Sequence, residues 1–301
     1  MADFPTITVI TPTHNIVNSE LTDEFNLLVT LLNMQTYPQV EHIVIDKASN
    51  DGTIQLLSDY KSKGYLQFYT EPDSGKFEAL NKGIMRAKGK YVTFLSCDDF
   101  IHDITALDEI VGLLETNEAD YTFAPSYSIH PEGFVIPFIP SMYNAFQGMP
   151  CSRQAMVFKK SVLSAEGYFD EKFKYMADFD LIIRLMLKDY AGIYYDKNYV
   201  TCRMSSNPFN DPDRVNNECR QIFIKNFRNL YPLTNEIVDK MLTYSEFPPQ
   251  LLDKLSEHFA PENKADFLAA CSEMNRLRIE AMNSTENQTG EEDSASPSAN
   301  Q

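Results

Sequence analysis

The stretch YVTFLSCDDF, residues 91–100, runs apolar from Tyr91 to Leu95 and ends on two adjacent acids, Asp98 and Asp99. Neighbouring carboxylates repel and each is costly to desolvate, so a pair at the end of a core strand calls for a positive partner. Mg2+ or Mn2+ meets that need, because hard cations take oxygen ligands and commonly also hold a substrate's phosphates. Alone the pair is a weak signal: such acids also cap helices, and DDFIHD could cap the one that follows. Its company strengthens it. His14 and Asn15 follow the run TITVITP (6–12), Asp46 lies in VEHIVIDKAS (40–49), and Asp73 follows Pro72, which breaks YLQFYTEPDSG (65–75). A further acid, Asp178, stands in MADFDLIIRL with Asp180 two residues on.

The elements that must position these residues alternate. Runs 6–12, 40–49, 65–75 and 91–96 read as strands, rich in β-branched and aromatic residues and bounded by Pro, Gly and Asp. Between them, 24–35, 52–64 and 76–89 read as helices; Phe25, Leu28, Leu31 and Leu32 keep helical spacing, and Gly64 closes the second. Such alternation predicts an α/β fold with a mostly parallel sheet covered on both faces. Ligands then bind beyond the carboxyl ends of the strands, the edge to which the polar residues are delivered. From 121 to 150 the periodicity is lost among Pro, Gly, Ser and aromatics, as expected of irregular strands and loops near a pocket. A helix over 177–189 follows. The expected organisation is a body over 1–212, a helical region over 213–282, and a disordered tail over 283–301 that has no apolar residue beyond Ala.

Composition excludes some functions. With a formal net charge of −17 over 301 residues, the chain lacks the basic face a general nucleic-acid binder needs. Five cysteines without a CxxC pair read as reduced thiols of a cytosolic protein. No apolar run approaches 18 residues and no charged-then-apolar leader opens the chain, so a soluble, cytoplasmic, at most membrane-peripheral protein is expected. TPTHN stands where a dinucleotide-binding strand would carry G-x-G-x-x-G, and no G-x-x-x-x-G-K-[ST] occurs. A dinucleotide oxidoreductase or a nucleotidyltransferase on a similar sheet is thereby weakened.

Four linked segments carry a resemblance: TVITPTHN, HIVIDKASNDGT, EPDSGKFEALNKGIMRAKGKYVTFLSCDD and RQAMVFKKSVLSAEGYFDEKFKYMADFDLIIRL. In order and spacing, over about 5–205, they resemble the inverting family-2 glycosyltransferases of the GT-A fold. The resemblance implies a GT-A (Rossmann-like) catalytic domain over 1–212 with a helical C-terminal extension, transferring a sugar from a UDP-sugar, less favourably a dTDP-sugar. Carried over by position, Pro12, Thr13 and His14 would line the base pocket and Asp46 would accept from the base N3–H. Asp73 and Lys82 would lie near the ribose and diphosphate. Asp98 would contact the ribose, while Asp99 would hold Mn2+ or Mg2+ against the phosphates. Asp178 would be the general base that deprotonates an acceptor hydroxyl, in surface polysaccharide, lipid-linked glycan or glycoprotein synthesis.

Each assignment has a plainer rival. Asp46 could be a turn acid, His14 a loop histidine, Lys82 a surface lysine, and Asp178 a helix cap with Asp180 competing as base. Arg184 and Arg203 could be ion-pair partners or phosphate contacts. Three positions depart from the family pattern: Glu78 replaces a shorter acid, Arg153 stands where relatives often have His, and 202–211 lacks the paired glycines of a lid. An Arg cannot serve as a base but can grip an anion, which points Arg153 at an acidic or phosphorylated acceptor. A non-catalytic glycan-binding or scaffolding subunit is the remaining alternative. The helical C-terminal region is a candidate for homodimerisation or for docking on a membrane or synthase partner.

Overall fold

The computed structural model describes residues 4–204 and 211–294, grouped in two compact units. The first unit spans residues 1–142 and 149–212. Its chain begins β1 (Ile7–Thr13), α1 (Thr22–Asn33), β2 (Val40–Asp46), α2 (Thr53–Ser62), β3 (Gln67–Thr70), α3 (Lys76–Arg86) and β4 (Tyr91–Phe94). There follow β5 (Phe100–Ile101), α4 (Ala106–Thr116), β6 (Tyr121–Phe123), β7 (Ser126–Ile129), β8 (Val135–Phe138) and β9 (Met156–Lys159). The unit ends with α5 (Lys160–Ala165), α6 (Ala177–Leu187), β10 (Gly192–Tyr194) and β11 (Val200–Arg203).

The main sheet has seven strands in the order β10-β6-β9-β4-β1-β2-β3. β1 to β4 pair in parallel, each strand returning through a helix, as the alternation of the sequence predicts. β9 runs antiparallel between β4 and β6 and makes the sheet mixed. Its insertion matters for the site. Because Thr93 pairs with Val157, the residues just before β9 are brought to the same edge as the C-terminal end of β4. The central strands are buried on both faces: Ile7, Val9, Ile10, Val44, Ile45, Val92 and Phe94 are all fully enclosed. α3 lies so close to β1 that a Cβ at Gly83 would stand 2.4 Å from Ile10 Cγ2, an approach only glycine permits. A second sheet, β5-β11-β7-β8, accounts for part of the aperiodic stretch.

The second unit takes residues 143–148 and everything from 213 onward. It holds α7 (Pro212–Phe227), α8 (Asn235–Tyr244), α9 (Pro249–Ser256) and α10 (Lys264–Ser294). Its core is aromatic: Phe146 is fully buried, with its ring centroid 6.0 Å from those of Phe227 and Phe267. Here two sequence expectations are corrected. Residues 143–148 belong to this aromatic core rather than to loops beside the pocket, because Phe146 finds its partners there. α10 also continues to Ser294, past the expected start of the tail at 283, since no proline interrupts the helix before Pro297. Residues 295–301 lie outside the described residues. Among the described residues no helix is long and apolar enough to cross a membrane.

Candidate active site

Parallel pairing aligns the ends of β1, β2 and β3, with Thr13 opposite Asp46 and Asp46 opposite Thr70. At that edge Asp46 is fully buried and accepts from four donors. Thr13 Oγ1 (3.1 Å) and Ser49 Oγ (2.5 Å) reach Oδ1; Ser49 N–H (2.9 Å) and Thr70 Oγ1 (3.0 Å) reach Oδ2. A carboxylate desolvated this completely is tolerable only because hydrogen bonds replace its water. The sequence reading gave Asp46 a direct contact with a base; the structure closes it off and makes it the knot that ties β1, β3 and the loop after β2. Thr13 is buried with it, Pro12 is half-buried, and His14 stands exposed with Nδ1 3.1 Å from the Lys47 carbonyl oxygen.

The segment that leads into α3 is held by its own ion pairs. Asp73 Oδ1 accepts from Gly75 N–H (3.0 Å) and lies 3.5 Å from Lys47 Nζ. Lys82 donates to the Pro72 carbonyl (2.8 Å) and pairs with Glu78 at 2.8 Å. Lys82 thus ties the loop backbone to Glu78. Glu78 reaches back to Ser74 N–H (2.7 Å). The Lys82 hydrogen bond, with those from Ser74, lowers its carboxyl to about 2.

Beyond β4 the two adjacent acids divide. Asp99 is 1% exposed, and accepts from Ser96 N–H (2.7 Å) and Gln154 Nε2 (3.0 Å) on Oδ2 and from Arg203 N–H (3.2 Å) on Oδ1. Asp98 stays partly open. Burial, then the charge of Asp99, raises its carboxyl to about 6. The carboxylate left to face a ligand is thus Asp98, whereas Asp99, the residue expected on the metal, is taken up by protein donors. Among the described residues no group of three or more His, Cys, Asp or Glu side chains gathers that could hold a metal unaided. The donor set still suits a hard cation that draws on one carboxylate and completes its shell from substrate phosphates and water.

The raised Asp98 has a measurable cost. Its folded value lies above the ordinary carboxylate value, so the penalty is absent below about pH 4, grows between there and about pH 6, and is fully present above. Asp98→Asn is therefore expected to stabilise the protein by about 1 kcal/mol at pH 7.5 and not at pH 4, as read from urea unfolding at both. A gain of equal size at both pH values would point away from charge.

A short 3-10 turn, Arg153–Ala155, precedes β9 and grips two acids with consecutive side chains. Gln154 holds Asp99, and Arg153 Nη1 donates to Asp178 Oδ2 at 3.0 Å, with side chains 6% and 15% exposed. Asp178 is the second residue of α6, and its Oδ1 accepts from Phe179 N–H (3.0 Å). Asp180, the competing base, is fully buried against Arg184 Nε at 2.9 Å. Arg184 also donates to the carbonyls of Glu166 (2.6 Å) and Tyr168 (2.7 Å), a structural clasp. Arg203 pairs with Glu24 at 3.5 Å. Of the 202–211 segment, residues 205–210 lie outside the described residues.

The rim thus brings together Thr13, Asp46 and Asp73 on one side and Asp98, Asp99, Arg153 and Asp178 on the other. Sequence reasoning missed Gln154, Ser49 and Thr70, which act through pairings 3 to 55 residues apart. It also missed Lys76. Its type was the available signal: a cation as the first residue of a helix opposes the helix dipole, a locally unfavourable choice.

Comparison with known proteins bears on this arrangement. The family model described as Glycosyl transferase family 2 matches residues 8–165. An uncharacterized glycosyltransferase of Rickettsia typhi is 28% identical over 179 residues, covering 54% of this chain and 54% of that protein. The chain therefore spans about half the length of that relative. The putative teichuronic acid biosynthesis glycosyltransferase TuaG of Bacillus subtilis is 35% identical over 97 residues, 32% of this chain and 36% of TuaG. Among solved structures, S. aureus TarS 1-349 in complex with UDP-GlcNAc superposes with a TM-score of 0.62 at 17% identity, covering 94% of this chain and 92% of TarS. The mannosyltransferase PcManGT from Pyrobaculum calidifontis, in complex with GDP-Man and Mn2+, gives 0.57 at 19% identity, covering 96% and 81%. At these identities the structures attest the fold alone.

Proposed function

The chain belongs to glycosyl transferase family 2, and from that premise we propose that it transfers a sugar from a nucleoside-diphosphate sugar to an acceptor hydroxyl, inverting the anomeric centre. One observation carries the reading: the turn Arg153–Ala155 ties Asp99 and Asp178 to a single rim beside the open carboxylate of Asp98. The named neighbours bind UDP, UDP-GlcNAc or GDP-Man, and a uridine nucleotide is the donor we favour.

Asp178 acts as general base. It takes the proton of the acceptor hydroxyl as that oxygen bonds to the anomeric carbon, opposite the departing diphosphate. Arg153 holds one carboxylate oxygen, and the Phe179 N–H holds the other, so the base is oriented before the acceptor arrives. Asp98 is the side chain that would hold Mn2+ or Mg2+, with Asp99 positioning it. A cation bound there supplies charge stabilisation to the leaving nucleoside diphosphate. Asp46, held by Thr13 from β1, serves by fixing the loop after β2, which leaves Pro12 and the exposed His14 to face the base. Asp73 anchors the turn into α3.

The acceptor is assigned to a surface polysaccharide, a lipid-linked glycan or a glycoprotein, with synthesis on the cytosolic side, where five free cysteines would persist. Thermal stabilisation tests the donor half of the reading. UDP with Mn2+ is expected to raise the melting temperature by several degrees, at a concentration about 100 times its Kd, and NAD to leave it unchanged. No shift with any nucleotide would instead favour a non-catalytic, glycan-binding subunit.

A further inference from the structure

Lys76 opens α3, where its charge opposes the helix dipole. Its ammonium lies 4.7 Å from the centroid of the buried Phe77 ring, and the Arg153 guanidinium carbon lies 5.9 Å from the same centroid. Two cations thus share one aromatic ring. Among the described residues no carboxylate comes within 4.0 Å of Lys76 Nζ, and Lys76 is exposed to solvent. Enclosure by neighbouring atoms, then the Arg153 charge, holds Lys76 down to about 8, against the pull of Asp178 and Asp99. Arg153 spends Nη1 on Asp178, and its buried Nε has no hydrogen-bond partner among the described residues. Asp178 is the one carboxylate paired with either cation, and Asp99 also draws on the Lys76 charge. Among the described residues the buried Arg153 Nε lacks an acceptor and Lys76 lacks an ion-pair partner, and an anionic group would supply both.

We propose that Lys76 and Arg153 form an anion subsite beside Asp178 that binds a phosphate or carboxylate group carried by the acceptor. The inference rests on the reading of Asp178 as the base, and it names the class of acceptor. An anionic group seated on these two cations places a hydroxyl of the same molecule within reach of the carboxylate that Arg153 orients. Affinity and alignment then come from one contact, and a neutral acceptor would leave the Lys76 charge unanswered. A donor diphosphate has the same phosphate chemistry, so the two sources must be separated by experiment.

Calorimetric titration of the full chain does so, with sn-glycerol 3-phosphate as the anionic probe, glycerol as its neutral counterpart, and UDP with Mn2+ as the donor product. With UDP and Mn2+ saturating, glycerol 3-phosphate is expected to bind with a Kd of about 1 mM, and glycerol not to bind detectably. Lys76→Met should weaken glycerol 3-phosphate at least about tenfold and leave UDP affinity within about twofold. Lys76→Gln should reproduce the loss without added apolar surface. Equal binding of glycerol 3-phosphate to wild type and both variants would overturn the subsite, as would no binding to wild type that still takes UDP. Displacement of glycerol 3-phosphate by UDP would overturn it too, by assigning the cations to the donor. Failure of wild type to bind UDP at all would count against the donor reading rather than against the subsite.

Discussion

Asp46→Ala is expected to cost about 3–5 kcal/mol and to lower the melting temperature by about 10 °C. The residue reads like a ligand-facing acid from its place at a strand end, yet it is fully buried and receives three hydroxyls and one backbone N–H. Alanine would remove the acceptor and leave those donors enclosed without water, the costly direction of the hydrogen-bond asymmetry. Asp46→Asn keeps the shape but turns one acceptor into a donor facing Ser49 N–H or a hydroxyl. Hydroxyls can rotate in response and a backbone N–H cannot, so a smaller loss of about 1–2 kcal/mol is expected. Thermal and urea unfolding of both variants measure this. Had Asp46 served only to read the base, both would melt like wild type and differ only in nucleotide binding.

Asp178→Asn is expected to lower transfer on the order of a thousandfold, because an amide cannot take the proton of the acceptor hydroxyl. The donor is bound by other residues, so UDP affinity should stay within about twofold. The ion pair complicates the stability of this variant. Arg153 is 6% exposed and Asp178 is its one counter-charge among the described residues, so the amide leaves a buried guanidinium hydrogen-bonded but no longer neutralised. A modest fall in melting temperature should accompany the loss of transfer. Asp178→Glu keeps the charge but moves the carboxylate by a methylene, and partial activity there would separate the loss of the base from the loss of the ion pair.

The periodicity of the sequence shows the parallel half of the sheet clearly. YVTF is a continuous buried run and VEHIVID is buried from His42 onward, and α2 and α6 fall within about two residues of their expected ends. Burial on both faces makes such strands hydrophobic throughout, which is why they stand out. The second sheet was not legible for the opposite reason. β8, Val135–Phe138, is exposed at all four residues and contains Pro137, so its apolar pattern marks no core. The site was legible as a set of residue types and not as a division of labour. Nothing local tells that Asp99 turns inward to Gln154, 55 residues on, while its neighbour Asp98 stays open. Nor does the sequence show that Arg153 meets Asp178, since an ion pair across 25 residues depends on β9 entering the sheet against β4. The sequence likewise does not show that Lys82 pairs with Glu78, four residues earlier on the same helix face.

The claim on which the rest depends is that one rim both holds the nucleotide and performs the transfer, with Asp178 serving only the second task. The most direct measurement records both on one preparation: nucleoside diphosphate released from a panel of nucleotide sugars with Mn2+ and an acceptor extract, alongside calorimetric UDP affinity, for wild type and Asp178→Asn. The account predicts release by wild type from one donor class, loss of that release in the variant, and near-equal UDP affinity in both. Undiminished release by Asp178→Asn would contradict it.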